Sequence, residues 1–85
     1  MRSFKYVITD EAGIHARPAG MLAKQARKTM SEVIVSGNGK SADAAKLMSV
    51  MGLGIKKGME VEVTIEGEDE EQAAEQLEKF FRENL

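Results

Sequence analysis

The sequence predicts an α+β fold: an open-faced β-sandwich whose four-stranded antiparallel sheet carries three helices on one face, in the order β-α-β-β-α-β-α. Three observations predict it. The strand segments alternate apolar with polar residues, so each is dry on one side only. The segments between them carry apolar residues at helical spacing. A Gly37-Asn38-Gly39 run, tolerant of positive φ throughout, joins two strand segments as a hairpin. Strands with one apolar face need one covering layer, and the helical segments supply it.

Phe4-Lys5-Tyr6-Val7-Ile8 is the first strand, with Phe4, Tyr6 and Ile8 facing the core. Asp10-Glu11-Ala12-Gly13 reads as a loop. A helix follows from Ala16 to about Lys28, and Ala19, Leu22, Ala23 and Ala26 form its inward stripe. Glu32-Val33-Ile34-Val35-Ser36 is the second strand. Lys40-Ser41-Ala42-Asp43 returns from the hairpin, and its weak strand propensity suits an edge. Lys46 to Met51 suits a short helix stopped by Gly52 and Gly54.

Glu60 to Glu66 is the clearest strand: Val61, Val63 and Ile65 face inward, while Glu60, Glu62, Thr64 and Glu66 face water. Gly67-Glu68-Asp69 leads into the last helix, whose acidic first turn suits the helix dipole. Ala73, Ala74, Leu77, Phe80 and Phe81 form its buried face. The acidic run from Glu66 to Glu71 reads as a solvated turn and helix start.

Eighty-five residues make one domain, spanning 1–85, with a modest core. The chain has no cysteine, which excludes disulfides, thiol catalysis and thiolate metal sites and is compatible with a reducing cytoplasm. No apolar run approaches the roughly 20 residues of a membrane span. The first residues enter an alternating pattern at once, so no signal peptide is expected and the location expected is cytoplasmic.

The net charge of −2 hides an asymmetry: residues 1–59 hold ten Lys/Arg against four Asp/Glu, and residues 60–85 hold two against ten. Arg17, Lys24, Arg27 and Lys28 all fall on the first helix. That favours acidic protein partners or phosphate esters, and a weak nucleic-acid binder could share it. Aromatic residues are too few and too core-like in spacing for a base-stacking platform, so no nucleic-acid partner is expected.

The only histidine, His15, lies in Gly13-Ile14-His15-Ala16-Arg17-Pro18-Ala19. Pro18 belongs in a first helical turn, where its missing N–H leaves no bond unmade. His15 therefore sits at or just before the positive end of a helix, where free amides and the macrodipole favour anions. Arg17 adds a permanent cation. On residue type alone, a lone histidine near a helix start is more often a surface residue or a cap. A ring nitrogen beside a phosphate seat also suits a histidine that carries a phosphoryl group. A serine triad and a metal site are disfavoured with one histidine and no cysteine, so no cofactor or metal is expected.

This motif resembles the active-site signature of HPr, the histidine-containing phosphocarrier of the bacterial phosphoenolpyruvate:sugar phosphotransferase system. Lys46-Leu47-Met48-Ser49-Val50-Met51-Gly52-Leu53-Gly54-Ile55 resembles that family's second helix and the turn after it. The resemblance spans essentially the whole chain. It implies that Enzyme I phosphorylates His15 on Nδ1, that the group passes to a histidine of an enzyme IIA protein or domain, and that Arg17 stabilises the phosphate. It further implies that Leu47, Met48 and Met51 form an exposed docking patch, with Lys24 and Arg27 as basic contacts around it. Read from spacing alone, Met48 and Met51 are as compatible with a core as with a surface. A carrier that offers one face to successive partners is expected to be a monomer.

The chain departs from the family pattern at Lys46. Many Gram-positive relatives carry there a serine that a regulatory kinase phosphorylates, so that control is expected to be absent; Ser49, one turn later, is a poorer site. Two further readings share the fold: a regulatory protein-interaction module, and a carrier of a nitrogen-related branch. The intact His15 and Arg17 argue against the first.

Overall fold

A computed structural model describes all 85 residues. Strand positions follow the alternation. The strands are β1 (Arg2–Val7), β2 (Ser31–Gly37), β3 (Lys40–Asp43) and β4 (Glu60–Gly67), in the sheet order β1-β4-β2-β3. Every pairing is antiparallel. The strand with the clearest alternation, β4, is central: Val63 lies opposite Phe4 on one side and Val35 on the other. Val61, Val63 and Ile65 are fully buried. The weak strand β3 lies at an edge, with only Ala42 buried. On the uncovered face, polar residues meet across strands, as Lys5 does opposite Glu62.

Helix α1 (Ala16–Lys28) and helix α3 (Glu70–Asn84) cover the apolar face, with the short helix α2 (Leu47–Met51) beside α1 and β3. The inward stripe of α1 is buried as its spacing predicts, with Pro18 added. Phe81 anchors α3: its ring meets Phe4, Tyr6 and Phe80 edge-on at centroid distances of 5.6, 5.7 and 6.0 Å. No polar or charged residue is buried, so the interior side chains pack by apolar contact alone.

The differences from the sequence reading have local causes. β1 begins at Arg2 and ends at Val7; Ile8 leaves the ladder but stays buried, its N–H donating to the Met59 carbonyl at 2.9 Å. Gly37 ends β2 rather than opening the turn, which leaves a two-residue Asn38-Gly39 turn with φ of 54° and 76°. Two positive φ values match the twist of a tight hairpin.

Within the acidic run, Asp69 makes a long-range tie that the run does not suggest. It does not cap α3; its carboxylate accepts from the Ser31 hydroxyl and the Met30 N–H, tying the start of α3 to the start of β2. Those bonds, the Ser31 hydroxyl first, hold the Asp69 carboxyl below its ordinary 3.8. The Glu70 carboxyl is likewise lowered, chiefly by the Met1 ammonium and then by the Gly67 N–H.

Candidate functional site

The segment before α1 is seated by its backbone. Gly13 adopts φ +67° and lies so close to the Ile55 carbonyl that a Cβ would stand 2.2 Å from its oxygen. Only glycine fits both constraints. The Gly13 N–H donates to the Asp10 carbonyl at 2.9 Å, and the next amide, Ile14, donates to the Ile55 carbonyl at 3.1 Å. Ile14 is buried, so the chain on the N-terminal side of the histidine is pinned inward.

His15 then takes the N-cap position of α1 with extended backbone (φ −95°, ψ −175°). Its side chain makes no capping bond and is 43% exposed. The imidazole is thus neither a cap nor a core residue, and it is free for chemistry. Ala19 N–H donates to the His15 carbonyl at 3.0 Å, and Pro18 has no N–H. The amides of Ala16 and Arg17 are left without a backbone partner at the mouth of the helix.

Arg17 is exposed, with no carboxylate within ion-pair distance. It lines an open depression with Asp10, His15, Pro18, Met21, Glu83 and Asn84. Nδ1 of His15 has no hydrogen-bond partner, while Nε2 faces Oδ1 of Asp10 at 3.7 Å. A ring nitrogen without a partner, two free amides and an unpaired guanidinium suit a phosphoryl group carried on the ring.

Of the other residues singled out from the sequence, Lys24 and Arg27 are exposed on α1. Arg27 also has a structural bond: its Nε donates to the Ala45 carbonyl at 3.1 Å, joining α1 to the approach to α2. On α2, Met48 is 76% exposed and Met51 36%. Leu47 is half-buried and packs against the core, so it contributes less free surface than the two methionines. Lys46 and Ser49 are both exposed.

Sequence reasoning missed Asp10, Met21 and the end of α3. Asp10 read only as a loop acid; its one local signal is an Asx turn, since Oδ1 accepts the Ala12 N–H at 2.8 Å. Met21 is exposed on α1 four residues beyond Arg17 and adjoins Lys24 and Lys28. The Leu85 main-chain oxygen accepts from the Thr9 N–H, the Thr9 hydroxyl and the Asp10 N–H. No short-range pattern encodes a contact across 76 positions.

Residues 2–83 match the family model described as "PTS HPr component phosphorylation site". The phosphocarrier protein HPr of Mycoplasma capricolum subsp. capricolum is 39% identical over 77 residues, 91% of this chain and 86% of that protein. The solved structure of a mycoplasma histidine-containing phosphocarrier protein superposes with a TM-score of 0.90 at 37% identity, covering 93% of this chain and 90% of the other. Crh of Bacillus subtilis, solved as a domain-swapped dimer, matches at 32% identity and a TM-score of 0.77, covering 100% of this chain and 98% of that one. The chain belongs to the HPr family of phosphocarriers of the phosphotransferase system.

Proposed function

We propose that His15 accepts a phosphoryl group on Nδ1 from phosphorylated Enzyme I and passes it to a histidine of an enzyme IIA protein or domain, in phosphoenolpyruvate-dependent sugar uptake. The observation that carries this reading is the free, half-exposed imidazole beside the bare Ala16 and Arg17 amides and the unpaired Arg17 guanidinium. The Nδ1 lone pair attacks phosphorus as the donor's bond to phosphorus breaks. The amides and Arg17 hold the phosphoryl oxygens. Discharge runs the same exchange toward the next acceptor, with the imidazole as leaving group.

Met48, Met51 and Met21, flexible and exposed, give a surface that adapts to more than one partner. Lys24, Arg27 and the edge of Leu47 border it and favour acidic partners. Lys46 carries no hydroxyl, so kinase control at that position is absent. The chain works as a cytoplasmic monomeric carrier, a substrate of Enzyme I and a donor to IIA rather than a catalyst of its own.

The test is incubation with phosphoenolpyruvate and Enzyme I. One acid-labile, base-stable phosphate per chain is expected, absent in His15→Ala and removed by one member of a IIA panel. A chain left unmodified by active Enzyme I, or modified equally in His15→Ala, refutes the reading.

A further inference from the structure

The two nitrogens of the only histidine face different surroundings. Nε2 points at the Asp10 carboxylate, 3.7 Å away, while Nδ1 has no partner. Asp10 is itself held at three points. Its N–H donates to the Leu85 main-chain oxygen at 2.9 Å, its own carbonyl accepts the Gly13 N–H at 2.9 Å, and its Oδ1 accepts the Ala12 N–H at 2.8 Å. No Lys or Arg lies within 4.0 Å of this carboxylate to neutralise it. Glu83, the other acid lining the depression, makes no contact of that kind with His15.

From this asymmetry we propose that Asp10 is a positioning residue for His15: its carboxylate keeps the ring proton on Nε2, so that Nδ1 presents the lone pair. The proposal rests on the phosphocarrier reading. The 3.7 Å separation is longer than a hydrogen bond, and contacts of this kind tighten when the reacting group is bound. During transfer the donor's bond to phosphorus breaks as the bond to Nδ1 forms. The Nε2 proton stays on the ring throughout, and Asp10 takes none. The phosphorylated ring is then cationic, and the carboxylate offsets that charge in both charging and discharge.

Two variants separate this role from a turn-forming one. Asp10→Asn keeps an oxygen for the Ala12 N–H but loses the charge; Asp10→Ala loses both. A single charge about 4 Å away in a solvated site changes a rate about fivefold. Single-turnover transfer from phosphorylated Enzyme I is expected to fall about that much in both variants, with unchanged half-saturation and partial rescue by Asp10→Glu. Nitrogen-15 NMR of the unmodified ring is expected to show the proton on Nε2, exchanging more slowly in the wild type than in Asp10→Asn. An Asp10→Asn protein equal to the wild type in rate and in Nε2–H exchange overturns the proposal and leaves Asp10 as a turn residue. A wild type that Enzyme I does not modify overturns the phosphocarrier reading instead; the exchange of the unmodified ring still decides whether Asp10 holds its proton.

Discussion

Replacing Gly13 by alanine tests whether the histidine's seat is built as described. The added methyl would meet the Ile55 oxygen at 2.2 Å and Lys56 Cα at 2.8 Å, against 3.4–4 Å for ordinary contact, so the loop must retreat by about 1 Å. A Cβ at φ +67° adds about 1–2 kcal/mol of backbone strain. The retreat weakens the Ile14 N–H bond to Ile55, which contributes about 1 kcal/mol. The loss should reach about 2–3 kcal/mol, read by urea unfolding, or a fall in Tm of about 10–20 °C for a chain of this length. Gly20→Ala is the control: it lies within α1 with open space around it and should gain about 0.5–1 kcal/mol. A Gly13→Ala protein within about 0.5 kcal/mol of the wild type would refute the account of the seat.

Phe81→Ala removes a fully buried ring that three other aromatics contact, and should cost about 3–5 kcal/mol by denaturant titration. Arg17→Ala should change stability by less than about 0.5 kcal/mol yet slow phosphoryl transfer about ten- to a hundredfold; equal rates would remove Arg17 from the site. Met48→Asp should leave the melting curve in place and raise the half-saturating Enzyme I concentration about tenfold, which transfer kinetics would show. The Asp69 carboxyl titrates below its ordinary 3.8 in the folded protein, so its contribution is present above that pH and is lost as the solution is acidified through the lower folded value. Urea midpoints taken from pH 7 down to about pH 3 should therefore fall more steeply for the wild type than for Asp69→Ala, and parallel curves would contradict the Ser31 bond.

Legibility tracked the range of the interactions. β4 and the hairpin were readable because alternation and a glycine-flanked asparagine act over a few residues. His15 at the mouth of α1 was readable because Pro18 marks a first turn. The tie from Asp69 to Met30 and Ser31 was not legible because those partners lie nearly forty residues away in sequence. Asp10 passed as one loop acid among several because only the folded loop brings Oδ1 toward the ring. The sequence could not decide whether Met48 and Met51 were buried. With Val50 and Leu53 filling the interior at that point, both methionines are left outside.

The clasp between Leu85 and the Thr9-Asp10 backbone has a practical side. Any tag, dye or fusion partner joined beyond Leu85 starts against the loop that seats the histidine and must crowd whatever docks there. Labels for binding or transfer measurements are better placed at the opposite end of the sheet, where Glu32 and Glu66 lie across from each other and are exposed.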